Sequence, residues 1–251
     1  MNKNIDKKIN HVVEWLRKQV NDSGTNGLVV GLSGGIDSSV VAFLIKKAFP
    51  ENSIGVIMPC KSNEKDKNDA IEVAKASGLK HIVVDLTEDQ DNVLGKVFNE
   101  LIKEEYYIEG NKRLADANLR ARMRMSTLYT VANSLNYLVV GTDNAAELYT
   151  GYFTKYGDGG VDILPIANIT KREVYEWARH LGVPQTVLDR PPSAGLWEGQ
   201  TDENEMGTTY NMIDDLLEGK EIPQKHREII ERLNKRTEHK RKMPPAPPKY
   251  N

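Results

Sequence analysis

The segment Leu28-Val-Val-Gly-Leu-Ser-Gly-Gly-Ile-Asp-Ser-Ser39 decides the fold of this chain. Its apolar beginning, residues 28–32, is too short for a helix and is bounded by glycines, which predicts a buried strand. A helical pattern follows from Asp37 to Phe49 and stops at Pro50. A glycine-rich loop between a buried strand and a helix is typical of an open α/β sheet that binds its ligand beyond the carboxyl end of the strand.

Strands and helices continue to alternate along the chain. Further strands are predicted at 53–58, 81–86 and 137–141, and further helices at 64–77, 87–102, 112–135, 143–148, 170–182, 210–217 and 223–235. Thr87 with Gln90, and Thr170 with Glu173, are spaced as capping boxes at two of the helix starts. The pattern predicts one doubly wound α/β domain over residues 1–251, with a parallel sheet and helices on both of its faces.

Composition excludes several classes of protein. One cysteine among 251 residues cannot form an intrachain disulfide or a multi-thiolate zinc site. The apolar runs are far shorter than the ~20 residues of a membrane-spanning helix, and the amino terminus lacks the apolar core of a signal peptide. The balance of 34 basic and 36 acidic residues argues against a protein held mainly by a nucleic-acid backbone. We expect a cytoplasmic protein with no membrane or nucleic-acid partner.

The loop at residues 31–39 has the chemistry of a phosphate site. Gly34 and Gly35 let a phosphate approach the backbone, while the loop serines and the start of the following helix offer hydrogen-bond donors. The loop has no lysine of the Walker A type and no GxGxxG pattern. Asp37 would repel a phosphate unless a divalent cation lay between them, so the loop predicts Mg²⁺.

The sequence SGGIDS, residues 33–38, resembles the SGGxDS loop of the N-type ATP pyrophosphatases, which adenylate a substrate with ATP. Four more stretches are similar to the NAD synthetase family in the same order: NLRARMRM (118–125), GTDNAAE (141–147), GYFTKYGDGG with DILP (151–165) and PSAGLWEGQTDE (192–203). A chain of 251 residues leaves no room for the glutaminase domain of the glutamine-using members, so the resemblance is to the ammonia-dependent type.

This resemblance implies that deamido-NAD, the nicotinic acid dinucleotide, is adenylated by ATP and then aminated by ammonia to NAD, with release of AMP and pyrophosphate. It also implies a homodimer. Two alternatives stay open: another ATP pyrophosphatase that modifies tRNA or a nucleotide, and an adenine-nucleotide sensor without catalysis. The sequence favours neither, because a tRNA enzyme should show a broad basic face and a sensor has no need of two metal-binding carboxylates.

The resemblance also assigns roles to individual residues. Asp37 and Glu147 are expected to bind Mg²⁺, and Asp158 to bind ammonium and assist its deprotonation, although Asp158-Gly-Gly is equally good turn chemistry. The expected ATP contacts are Gly31, Leu32, Ser33, Gly34, Gly35, Ile36, Asp37, Ser38, Thr142, Lys171 and Ser193. The expected deamido-NAD contacts are Arg122, Lys155, Asp162, His239 and Lys240.

Three hypotheses concern the rest of the chain. The helix at 112–135 has apolar residues on more than one face, which predicts a contact with a second copy. Its Arg120 and Arg124 are expected to pair with acids. The polar segment 191–206 is long for a connection, so it is either disordered or a lid over the adenylate, and a basic, proline-rich tail follows the last helix.

Overall fold

The computed structural model describes residues 3–192 and 201–249. Four parallel strands form a sheet in the order β3-β2-β1-β4, with β1 at Gly27–Gly31, β2 at Ser53–Ile57, β3 at Lys80–Val83 and β4 at Tyr137–Val140. The register sets Val29 beside Ile54 on one side and Val139 on the other. Because β1 lies between β2 and β4, the order of the strands reverses at β1, which puts the ligand crevice at the carboxyl ends of β1 and β4.

Helices precede, separate and follow the strands along the chain. They are α1 Lys3–Ser23, α2 Ile36–Ala48, α3 Glu64–Ser77, α4 Thr87–Lys103, α5 Lys112–Leu135, α6 Ala145–Thr150, α7 Lys171–Leu181, α8 Gln185–Leu188, α9 Asp202–Met206, α10 Tyr210–Leu217 and α11 Gln224–Arg236. None of the helices within the described residues has the length and apolarity needed to cross a membrane.

Alternate strand residues pack on opposite faces of the sheet. Leu28 and Val30 lie in the core formed with α1, α2, α3 and α7, whereas Val29 lies in the core formed with α5. All three are fully buried. A sheet covered on both faces explains why β1 and β4 are apolar along their length, and it confirms the predicted doubly wound α/β fold.

The two predicted capping boxes have different outcomes. At α7 the prediction is confirmed, because Thr170 Oγ1 accepts from the Glu173 amide and the Glu173 carboxylate accepts from the Thr170 amide. At α4 it is wrong, because the N-cap is Leu86, without a side-chain cap, and Thr87 is already helical; its amide donates to Asp85 Oδ1 at 2.9 Å. The buried Gln90 side chain donates instead to Asp116 on α5, at 2.6 Å.

The last part of the chain builds a smaller core beside the sheet, from α6, α9, α10 and α11. Gly151 ends α6, and its φ of +67° is left-handed. A Cβ at Gly151 would lie 2.2 Å from Thr237 Oγ1, and that hydroxyl donates to the Thr150 carbonyl at 3.0 Å. The glycine therefore allows the residues after α11 to approach the sheet closely.

Candidate active site

A cavity of about 780 Å³ lies at the carboxyl ends of β1 and β4. Its walls come from the loop after β1, the loop between β4 and α6, the glycine-rich loop 151–160, and side chains of α5, α7 and the C-terminal region. Of the expected ATP contacts, those lining it are Gly31, Leu32, Ser33, Gly35, Ile36, Asp37, Ser38, Thr142 and Lys171. The chain thus brings residues more than 130 positions apart to the predicted crevice.

The loop after β1 is held open by its own side chains. Ser38 and Ser39 donate to the Gly35 carbonyl at 3.0 and 2.8 Å, and Gly35, at the N-cap of α2, offers no side chain to the amides of the first turn. These amides are thereby left for an external acceptor. Gly34 has φ +78°, and a Cβ there would lie 2.6 Å from the Asp66 carbonyl, so the loop also packs tightly against α3.

Two carboxylates and one ammonium group meet above this loop. Lys171 Nζ lies 2.6 Å from Asp37 Oδ2 and 3.3 Å from Glu147 Oε1. The Lys171 side chain is only 4% exposed, although it stands at the start of a helix. A buried cation needs such partners, since removing it from water unpaired is costly.

Burial and neighbouring charge shift both titrations in this group. Burial and, after it, the charge of Asp37 raise the pKa of Glu147 to about 7, against the opposing effect of Lys171. Burial alone would lower the pKa of Lys171, but Asp37 and Glu147 outweigh it and hold that pKa above its ordinary value. Lys171 is therefore a permanent cation, whereas Glu147 titrates near neutrality.

Two residues that sequence reasoning missed fix these carboxylates. Asn144 Nδ2 donates to Asp37 Oδ1 at 2.9 Å, while its Oδ1 caps α6. The Tyr210 hydroxyl lies 3.1 Å from Glu147 Oε1 and 2.9 Å from Asp202 Oδ2. Asn144 lies inside the GTDNAAE stretch, where its capping pattern with Glu147 is a usable signal. Tyr210 carries no such signal, because its partner lies 63 residues away.

Asp158 lies in the same cavity, held by the loop that carries it. Its Oδ1 accepts from the Thr154 amide at 2.8 Å, and burial raises its pKa although Lys240 and Arg124 oppose the rise. Lys240 also lines the cavity, and its Nζ donates to the Gly151 carbonyl at 2.8 Å. Asp158 thus stabilises its turn and also lines the cavity; its role with ammonium stays a prediction.

The other expected dinucleotide contacts form a chain beside the cavity. Arg122 donates to the Lys155 carbonyl at 3.4 Å, and Lys155 Nζ donates to the His239 carbonyl at 2.6 Å. Asp162 lies apart from them: its oxygens accept from the Tyr129 hydroxyl at 2.9 Å and the Val139 amide at 2.8 Å. The structure brings Arg122, Lys155 and His239 together and leaves Asp162 engaged at the edge of β4.

The remaining expectations concern Arg120 and Arg124, Ser193 and the lid. Arg120 pairs with Asp116, as predicted, but Arg124 donates to the Met58 carbonyl and the Ser62 hydroxyl, both at 3.1 Å. The expectation that Arg124 pairs with an acid is wrong, because it is buried against a carbonyl at the end of β2. Ser193 lies outside the described residues, as does half of the predicted lid at 191–206, namely residues 193–200.

The sequence model of the NAD synthase family matches residues 8–244, which include every part of the cavity described above. The chain belongs to this family. The NH3-dependent NAD+ synthetase of Alkaliphilus metalliredigens is 67% identical over 240 residues, which is 96% of this chain and 97% of that protein. The family assignment made from the SGGIDS loop and the four later stretches is confirmed.

Solved structures agree with the family. An NMN synthetase from Francisella tularensis is 38% identical with a TM-score of 0.89, covering 97% of this chain and 98% of its own. An NAD+ synthetase from Burkholderia pseudomallei is 30% identical with a TM-score of 0.78, covering 96% and 91%. Members of this fold therefore carry names for two related products, NAD and NMN.

Proposed function

We propose that this chain is an ATP-dependent ligase that amidates deamido-NAD with ammonia and produces NAD, AMP and pyrophosphate. The observation that carries the proposal is the contact of Lys171 with two carboxylates at the loop after β1, in a chain of the NAD synthase family. Lys171 Nζ lies 2.6 Å from Asp37 and 3.3 Å from Glu147. Relatives at up to 67% identity are named NH3-dependent NAD+ synthetases.

The loop and Lys171 account for the use of ATP. A carboxylate is a poor electrophile, so the nicotinate carboxylate must attack the α-phosphate of ATP to become an acyl-adenylate. Negative charge then moves onto the departing pyrophosphate. The free amides of the first turn of α2 and the permanently charged Lys171 are donors for that charge, and they act inside a cavity where electrostatic interactions are strong.

Asp37 and Glu147 fit a magnesium ion. They already share one cation, the ammonium group of Lys171, and Mg²⁺ in nucleotide sites combines one or two carboxylates with phosphate oxygens. No cage of three or more acidic, histidine or cysteine ligands exists among the described residues, which suits a metal that shares its coordination with ATP. When bound, Mg²⁺ would neutralise phosphate charge and polarise the phosphoryl oxygens.

Asp158 is the group to which we assign ammonium binding and its first deprotonation. Only neutral ammonia has the lone pair that attacks the adenylate, and a buried carboxylate of raised pKa is a better base than an exposed one. Thr142 completes the ATP contacts, and Ser193 is assigned by resemblance alone. The lid at 191–206 is assigned from the polarity and length of that segment.

Arg122, Lys155, His239 and Lys240 are assigned to deamido-NAD. The first three are already connected by hydrogen bonds, and Lys240 reaches the cavity itself. The positive charges of Arg122, Lys155 and Lys240 suit the phosphates of a dinucleotide. Asp162 keeps its assignment as a proposal, although both of its oxygens accept hydrogen bonds from Tyr129 and Val139.

We also propose a homodimer that forms through α4 and α5. Val93, Val97 and Ile102 on α4 are 43 to 55% exposed, and Leu114 on α5 is 65% exposed. An exposed row of large apolar side chains marks an interaction surface. The chain's one cysteine, Cys60, is buried and free, which fits the reducing cytoplasm that we assign to the protein.

The direct test measures NAD and AMP together, from ATP, ammonium, Mg²⁺ and deamido-NAD. We expect the two products in equal amounts, and none from Asp37→Asn. Because an NMN synthetase shares this fold, nicotinic acid mononucleotide should be compared as the acceptor, and deamido-NAD should have the higher kcat/KM. AMP formed only with tRNA, or ATP bound without turnover, would support the alternatives instead.

A further inference from the structure

Asp143, between β4 and α6, is a buried carboxylate that the function described so far does not use. It lines the cavity but is only 5% exposed, and its Oδ2 atom has no hydrogen-bond partner among the described residues. The side-chain amide of the next residue, Asn144, is used elsewhere, because its Nδ2 donates to Asp37 and its Oδ1 caps α6. A buried carboxylate oxygen without a donor is costly, so a ligand that brings donors is the simplest explanation.

The charges around Asp143 favour a small cation. Burial raises its pKa well above the ordinary value, and Asp158, Glu147 and Asp37 add to the rise in that order, while Lys240 opposes it. Asp158 is thus the charged neighbour with the largest effect. Lys240 already donates to the carbonyls of Gly151 and Phe153, and within the described part of the chain it donates to neither aspartate.

The amidation itself requires two proton acceptors. Ammonium carries four hydrogens and the product amide keeps two, so each turnover that begins with ammonium releases two protons. One is lost before the C–N bond forms, and the other is lost from the nitrogen afterwards. A single carboxylate can accept one proton before it must pass it on.

We propose that Asp143 and Asp158 together bind the ammonium ion, and that Asp143 accepts the second of its two protons. This inference rests on the proposed function and extends its ammonia site by one residue. Asp158 accepts the first proton, and the lone pair of ammonia forms the C–N bond to the acyl carbon of the adenylate. The C–O bond to the phosphate of AMP breaks with its electron pair on the phosphate oxygen, and the amide nitrogen gives its second proton to Asp143.

The experiment separates adenylation from amidation. ATP–pyrophosphate exchange with deamido-NAD, without ammonium, reports adenylation alone. We expect Asp143→Asn to leave this exchange unchanged, to raise the KM for ammonium and to slow amidation by about 10²-fold, the lower part of the range for an acid–base group. Hydroxylamine, which is largely unprotonated at neutral pH, needs no binding as a cation but still loses one proton after the C–N bond forms, so it should relieve the KM defect of Asp143→Asn and leave amidation slow.

Asp116→Asn is the matched control. Asp116 is a partly buried carboxylate on α5 that pairs with Arg120 and Gln90 and does not line the main cavity. It should keep the wild-type KM for ammonium. Asp143→Asn should also unfold at the wild-type temperature or above, because the amide removes an unpartnered buried charge, and Asp143→Ala provides a second variant without a polar atom.

Three other outcomes would contradict either the role of Asp143 or the proposed function. Wild-type ammonium kinetics in Asp143→Asn and Asp143→Ala would overturn the inference. Loss of exchange in a folded Asp143 variant would also overturn it, because the residue would then act in adenylation. Exchange that is absent from the wild-type chain itself would overturn the proposed function and with it the ammonia site.

Discussion

Lys171 Nζ lies 2.6 Å from Asp37 Oδ2, although 134 residues separate the two along the chain. The contact joins the start of α7 to the start of α2, across the crevice where the strand order reverses. It is shared with Glu147, so a single ammonium group neutralises two carboxylates. Four predictions follow from this arrangement and from the fold around it.

Replacing Lys171 with Met should destabilise the protein strongly. It leaves two carboxylates uncompensated, and breaking a buried ion pair from one side costs about 3–5 kcal/mol. Added Mg²⁺ should raise the unfolding temperature of Lys171→Met more than that of the wild type, because it offers the carboxylates a replacement cation. Urea unfolding with and without Mg²⁺ measures both effects.

The control for that variant is Lys8→Met. Lys8 pairs with Glu173 at 2.5 Å, but its side chain is 47% exposed, and such pairs contribute less than about 1 kcal/mol. Equal losses of stability in the two variants would show that the burial of Lys171 has no energetic consequence.

Glu147→Gln should change how stability depends on pH. The folded pKa of Glu147, about 7, lies above its ordinary value of 4.5, so between these values the folded state binds more protons than the unfolded state. Wild-type stability should therefore fall, relative to Glu147→Gln, as pH rises from about 4.5 to about 7, with a slope of up to ~1.4 kcal/mol per unit. The difference should be constant above that range. A difference that is flat from pH 4 to 8 would contradict the raised pKa.

Gly34→Ala tests the close packing of the loop against α3. The left-handed φ of +78° penalises any side chain, and the Asp66 carbonyl 2.6 Å from the new Cβ adds a clash. Gly24→Ala has nearly the same φ, +67°, with nothing within 4 Å, so it measures the backbone penalty of about 1–2 kcal/mol alone. We expect Gly34→Ala to lose more stability than Gly24→Ala in urea, and to bind ATP weakly by calorimetry.

Val97→Glu should dissociate the proposed dimer. Val97 lies on α4 with half of its surface exposed, and a charge in an apolar interface is not repaid unless it finds a partner. Sedimentation at micromolar concentration should give a dimer for the wild type and a monomer for the variant. Met243→Glu changes an exposed apolar residue of the C-terminal tail and should stay dimeric. A monomeric wild type would refute the dimer.

Local patterns were sufficient to predict most of the fold. The strands β1 to β4 lie within three residues of their predicted bounds, because each is a short apolar run closed by glycine or by a helix start. The crevice at the loop after β1 followed from the same pattern. Gln90 is where this reasoning failed, since its capping pattern is local but its partner, Asp116, lies on another helix.

The contacts between side chains of the site could not be predicted from local sequence patterns. Family resemblance named Asp37, Glu147 and Lys171 separately, but their mutual contact depends on how α2, α6 and α7 pack. Tyr210 reaches Glu147 from a region that no motif marked. Asp143 was missed for a different reason. Sequence reasoning places a carboxylate at the surface or beside a partner, and a buried carboxylate without a partner breaks that rule.

The position of Gly151 against Thr237 has a consequence for biosynthesis. The ribosome releases the loop after β1, Asp37 and Glu147 before Lys171, and it releases Thr237 and Lys240 after all of them. A nascent chain that ends before Lys171 therefore carries the paired acids without their cation, and one that ends before Thr237 cannot close the wall of the cavity. Such long-range contacts are formed late and slowly in folding, so the ability to hold nucleotide arises only after Lys240 has been synthesised.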